Sequence, residues 1–186
     1  SLHGLGVYGP RLREIGINVE TLDMPRGKLK LIGLWRLRKI IQDYSPDIIH
    51  TRLYHADLVG GVVSLFAGTP PVIWTVNSSE LGDWTKNWKT KFIRRICASL
   101  SSWVPSAIVA DAKNTKRVNV LLGYASEIFL VINNGVDLSA FYRDNIARQA
   151  LRRELQVQED QMLLGFVARW DPLKDHSNLL QALSII

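Results

Sequence analysis

The chain is poor in cysteine and histidine and has no long apolar run. Its single cysteine, Cys97, excludes an internal disulfide and fits a reducing compartment or an ordinary buried thiol, and a cytoplasmic location is the default expectation. Its four histidines are scattered, too sparse with one cysteine to build a zinc site, and no D-x-D pair is present to hold a divalent cation. A membrane-spanning helix needs about 20 apolar residues, and the best stretch, residues 58–74, is interrupted by Gly68, Pro70 and Pro71. Any membrane contact is therefore expected to be peripheral. There is no internal repeat and no low-complexity segment.

What is present is positive charge. A net charge of +6 and a pI near 9.6 favour anionic partners, whether phosphates, acidic lipids or nucleic acid, and sign alone does not choose among them. At 186 residues the chain can bury one full domain with a remainder too small for a second. Ser1 in place of an initiator Met, and an apolar helix face that stops uncapped on Ile185 and Ile186, are expected of a segment of a longer protein.

Strand and helix signals alternate along the chain. Strands are expected at residues 17–22, 47–51, 72–76, 107–110, 128–132 and 163–168. Between them run helical patterns: Leu31, Leu34, Leu37, Ile41 and Tyr44; then Ala56, Val59, Val63 and Phe66; then Ile93, Ile96, Cys97 and Leu100; then Val118, Leu121 and Leu122. Ser45-Pro46, Gly68 and Gly123 supply the stops. Such alternation, with strands only about five residues long, argues an α/β fold with a parallel sheet covered on both faces. Residues 4–9, GLGVYG, match the G-x-G-x-x-G dinucleotide fingerprint. Pro10 and a short helical segment follow, however, where the fingerprint needs a helix to receive a pyrophosphate, so a surface turn is the better reading.

The chain is organised around residues 130–141, LVINNGVDLSAF, where an apolar strand runs into Asn133, Asn134, Gly135 and Asp137. These residues favour a shaped turn over a flexible linker, since Gly can take φ > 0 and Asn or Asp can bond the local backbone. A second strand-to-loop transition follows at GFVARWDPLKDHSNLLQAL, with Arg169 and Lys174 in the loop. Ligands of doubly wound sheets bind beyond the carboxyl ends of strands. A guanidinium and an ammonium in one such loop suit a diphosphate, the first as a bidentate clamp and the second as a point charge near a helix start.

Together, VINNGVD followed by Phe141 and ARWDPLK followed by LLQA resemble the retaining glycosyltransferases of family 4, whose pattern is V-I-P-N-G-V-D…F and then G-R-L-x-P-x-K-G…L-L-x-A. The resemblance covers nearly the whole chain. It implies the GT-B fold: a Rossmann-like parallel sheet of the amino-terminal, acceptor-side domain over residues 1–142, and the first β-loop-α unit of the nucleotide-sugar domain over 143–186. It also implies a transferase that moves a sugar from a nucleoside diphosphate to a saccharide or lipid-linked saccharide, with retention and without a protein base or metal cofactor. Arg169 and Lys174 would hold the donor diphosphate, and Asn134 and Gly135 would line the cleft loop. His50, Arg52, Asn77 and Ser78 would lie on the acceptor side, His50 being equally readable as a satisfied strand-end residue. Two departures stand out: the loop after residues 74–76 reads Asn77, Ser78, Ser79 where relatives carry an Arg-His-Ser-like run, and Asn119 stands about where a His is frequent. The family's E-x7-E element would lie beyond Ile186. The alternative is a non-catalytic relative that binds a membrane surface or partner; a sugar-nucleotide epimerase would need catalytic acids that have no place here.

Trp84, Lys86, Trp88, Lys89, Lys91, Phe92, Arg94 and Arg95 form the densest basic and aromatic cluster. It reads either as a solvated helix face or as a surface for anionic lipid head groups. Nucleic acid is disfavoured as a partner, because the cluster lies in an α/β scaffold without a recognition motif.

Overall fold

The computed structural model describes residues 1–25, 28–68, 70–77 and 88–185. Among them the elements follow the order α1 (Tyr8–Glu14), α2 (Leu31–Tyr44), β1 (Ile49–Arg52), α3 (Tyr54–Ser64), β2 (Val72–Val76), α4 (Trp88–Leu100), β3 (Ala107–Ala110), α5 (Lys113–Leu121), β4 (Phe129–Val131), α6 (Asn145–Glu154) and α7 (His176–Leu183), with a 3-10 turn at Pro172–Lys174 before α7. The four strands form one parallel sheet in the order β1-β2-β3-β4, because each pair is joined by a helical crossover. The α/β alternation and the parallel sheet expected from the sequence are therefore present. The chain divides into two compact units, Ser1–Gly135 and Val136–Ile186.

The sheet's core lies on one face. Val72, Trp74 and Val76 of β2 alternate with half-buried Ile73 and Thr75, and their buried side chains meet Ile108 and Ala110 of β3, Phe129 of β4 and Cys97 and Ala98 of α4. The opposite face is only half-buried, with His50, Arg52 and Leu130 exposed, so the expected burial of both faces is not what these residues show. Two expected strands are also absent. Residues 17–22 make no ladder; Leu22 and Met24 each donate one backbone bond, to the carbonyls of Ser1 and Leu2. Residues 163–168 find no neighbouring strand among the described residues, and a strand exists only through its partner's hydrogen bonds.

Helix α3 is buried on two sides. Val59 and Val63 pack with Ile41 of α2, as the apolar spacing suggests. Asp57, Gly60, Gly61 and Ser64 form a second buried stripe. There the helix approaches the sheet so closely that a Cβ on Gly60 would lie 2.6 Å from Thr51 Cγ2, and one on Gly61 would lie 2.8 Å from Val104 Cγ1 and 3.0 Å from Trp74 Nε1. Phe66, placed on the apolar face by its spacing, is exposed.

Candidate functional site

The carboxyl end of β1 places two polar side chains on the open sheet face. His50 and Arg52 point the same way because side chains alternate along a strand; their register partners on β2 are Ile73 and Thr75, and each side chain reaches one position further along the same face, to Thr75 and to Asn77 just past the strand. His50 Nε2 lies 2.6 Å from Thr75 Oγ1. With its amide oxygen turned toward Arg52, Asn77 accepts from Nε at 3.0 Å and from Nη2 at 2.7 Å. Leu53, next in the chain, has φ +75, a conformation that L residues seldom take and that clusters where backbone geometry serves a site. The sequence-expected residues His50, Arg52 and Asn77 are thus brought together; Ser78 lies outside the described residues.

Beneath this quartet is a buried polar network that sequence reasoning missed. Asp57 is fully buried and accepts a 2.6 Å bond from Thr51 Oγ1, while its Oδ2 has no hydrogen-bond partner. Burial drives its pKa up to about 7, against the opposing pull of the Thr51 hydroxyl and the Thr75 backbone. Burial likewise raises the Cys97 thiol to about 12 and the Tyr124 phenol above its ordinary value, so both are neutral near pH 7. Asn119 belongs to the same interior. It is fully buried, accepts from Tyr54 Oη and donates to the Thr115 carbonyl at 2.8 Å, so it is a packing residue and not a substitute for a ligand-facing histidine.

After β4, Asn134 and Gly135 are exposed. Gly135 is not among the residues with positive φ, and a Cβ there would meet nothing within 4 Å, so the expected need for glycine's left-handed freedom is not met by this conformation. The shaping falls to Asp137, whose Oδ1 accepts from the Ser139 backbone and hydroxyl at 2.9 and 2.6 Å; those bonds hold its carboxyl below the usual range.

In the second unit, Arg169 and Lys174 lie in one turn and both are exposed. Arg169 pairs with Asp171 at 3.5 Å and remains 78% exposed, and the Lys174 backbone donates to the Asp171 carbonyl at 2.9 Å as the last residue of the 3-10 turn. Asp175 follows in the left-handed conformation, φ 50 and ψ 48, where the resembled pattern has glycine. His176 then opens α7 with its ring against Phe166 and Trp170.

On α4, Trp88, Lys89, Lys91, Arg94 and Arg95 are described; Trp84 and Lys86 are not. Lys89 Nζ lies 6.0 Å from the Trp88 ring. A surface cavity of about 400 Å³ is lined by Trp88, Lys91, Phe92, Arg94, Arg95 and Leu122. No described helix is long and apolar enough to cross a membrane.

A parallel sheet of this order, with His50, Arg52 and Asn77 at the carboxyl ends of β1 and β2, is a Rossmann-like α/β lobe. The sequence pattern of Glycosyltransferase Family 4 matches residues 6–140, and the chain belongs to that family. No protein of curated function matches it. Among solved structures it is similar to HepE of Anabaena in complex with UDP, at 21% identity with a TM-score of 0.76, covering 96% of this chain and 47% of that one. The complexes of HepE with UDP-glucose and with UDP and glucose give TM-scores of 0.72 and 0.70 over the same shares. A UDP-N-acetylglucosamine 2-epimerase is similar at 13% identity and a TM-score of 0.51, covering 79% of this chain and 44% of that one. The chain thus spans about half the length of these proteins.

Proposed function

We propose that the protein transfers a sugar from a nucleoside diphosphate, with retention, to a saccharide or lipid-linked saccharide acceptor in the assembly of a polysaccharide. The observation that carries this reading is the turn of residues 169–174, which carries an exposed guanidinium, Arg169, and an exposed ammonium, Lys174, five residues apart in a Family 4 chain. As the glycosidic bond breaks, charge grows on the departing diphosphate, and fixed cations lower that barrier. With those two cations the reaction calls for no metal cofactor. His50, Arg52 and Asn77 would face the acceptor, their hydrogen bonds to Thr75 and to one another fixing their directions. Calorimetric titration of the intact protein with UDP and UDP-glucose, the molecules bound in HepE, is the first test. Absence of binding to these and to other nucleoside diphosphates would favour the non-catalytic reading, which the asparagine at 77 and the burial of Asn119 support.

Asp175 bears on the same turn. Its carboxylate follows Lys174 directly and opposes a bound diphosphate, and its left-handed backbone suits glycine better. Asp175→Gly is expected to tighten UDP binding about threefold at low salt, the gain shrinking at 1 M salt where charge is screened within about 3 Å. Titration at the two salt concentrations checks it.

The α4 surface fits a peripheral place on the inner face of a membrane, with Trp88 and Phe92 at head-group level and Arg94 and Arg95 against anionic lipid. Co-sedimentation with vesicles containing phosphatidylglycerol should fall at least tenfold in Arg94→Glu/Arg95→Glu, and equal sedimentation of both proteins would dismiss this surface.

A further inference from the structure

We propose that His176 is a positioning residue for the donor-binding turn, acting as a ring clasp that closes residues 166–176 on themselves. This rests on reading Arg169 and Lys174 as the diphosphate clamp. Within the turn, Arg169 pairs with Asp171, and the Lys174 and Asp175 backbone N–H groups bond the carbonyls of Asp171 and Pro172, but these contacts are local. Residues 163–168, which lead into it, make no strand ladder, and α7, which follows, has no side-chain cap, its N-cap Asp175 sitting in the left-handed region. Across that gap the His176 ring meets Phe166 edge-on, with centroids 5.0 Å apart and planes at 78°, and lies 4.7 Å from the Trp170 ring at 41°. Edge-to-face and tilted rings at these separations attract through their quadrupoles beyond simple area burial. The contact to Phe166 spans the whole turn and the contact to Trp170 fixes its first half. The two cations lie between: Arg169 beside Trp170, and Lys174 two residues before His176. Aromaticity at 176 is what this arrangement uses; neither imidazole nitrogen is assigned a proton or a ligand.

The test is made on the intact protein with UDP as probe, reading amide exchange at Lys174, Asp175 and Asn178, whose N–H groups bond the carbonyls of Asp171, Pro172 and Asp175. His176→Ala is expected to speed exchange at these amides about tenfold, leave β2 amides unchanged, and weaken UDP about tenfold; His176→Phe is expected to restore both. Trp170→Leu should act in the same direction but less strongly, and the double variant His176→Ala/Trp170→Leu should be no worse than His176→Ala, which already removes the Trp170 contact. Wild-type exchange in His176→Ala, or His176→Phe as impaired as His176→Ala, overturns the clasp. Should His176→Ala fail to fold, Trp170→Leu with normal exchange and normal affinity overturns it equally. Faster exchange with unchanged UDP affinity instead removes the clamp assignment beneath it, and with it the positioning role.

Discussion

Arg169→Ala and Lys174→Ala in the intact protein should each lower kcat/KM for transfer by two to three orders of magnitude while leaving the melting temperature unchanged. The size follows from the chemistry: a preorganised donor at a developing anion is worth about 3 kcal/mol, or roughly a hundredfold in rate. The unchanged stability follows from the structure. Arg169 is 78% exposed and its pair with Asp171 is 3.5 Å long, an ion pair of the kind that water screens to little value. Arg169→Lys should recover only part of the loss, because an ammonium cannot clamp two phosphate oxygens in a plane. The double alanine variant should cost less than the product of the singles if the two cations act on one diphosphate as a unit. Steady-state kinetics with fixed acceptor and varied donor, beside a melting curve, is the measurement. Wild-type kcat/KM in both single variants would remove the clamp.

The strands legible in the sequence were those bounded by local chemistry. Val72–Val76 follows Pro70-Pro71 and Ala107–Ala110 follows Pro105, so the chain itself marks their starts, and the observed strands begin and end as the pattern implies. Residues 17–22 and 163–168 carry the same local signature but no ladder, because pairing is a long-range property that composition does not encode. Helix α3 shows the other limit. Its apolar spacing identifies the side facing α2, through Val59 and Val63. The sheet-facing stripe, Asp57, Gly60, Gly61 and Ser64, recurs at i, i+3, i+4 and i+7 as cleanly as any apolar stripe, but it is small and polar, and a search for hydrophobic periodicity passes over it. The candidate site divides in the same way. Residue types and order identified Arg169, Lys174, His50, Arg52 and Asn77 as candidates, whereas the partners of Asn77 and the burial of Asn119 depend on which strand lies beside which.

Asp57 carries the second large effect. Its carboxyl is wholly enclosed, bonded once to Thr51 and open at Oδ2, and its pKa of about 7 compares with about 4 for an exposed aspartate. Between those values the unfolded chain is ionised there while the folded chain keeps its proton. The folded state therefore binds more protons, and stability must fall as pH rises. The contribution is fully present below about pH 4 and is lost progressively up to about pH 7, at up to about 1.4 kcal/mol per pH unit, on the order of 4 kcal/mol in all. Asp57→Asn abolishes this slope. It keeps the acceptor for Thr51 but buries an amide N–H₂ where Oδ2 has no partner, which costs about 1–3 kcal/mol at every pH. Urea unfolding should therefore find the variant weaker than the wild type at pH 4.5 and equal or stronger at pH 7.5. Neighbouring ionisable groups do not confuse the comparison, since Cys97 and Tyr124, which face Asp57, are raised well above this window, and the depressed carboxyls of Asp137 and Glu159 are solvent-exposed and present in both proteins. A stability difference between the two proteins that stays constant from pH 4.5 to 7.5 would mean that Asp57 is already ionised in the fold, and that the enclosure around Thr51 admits the charge.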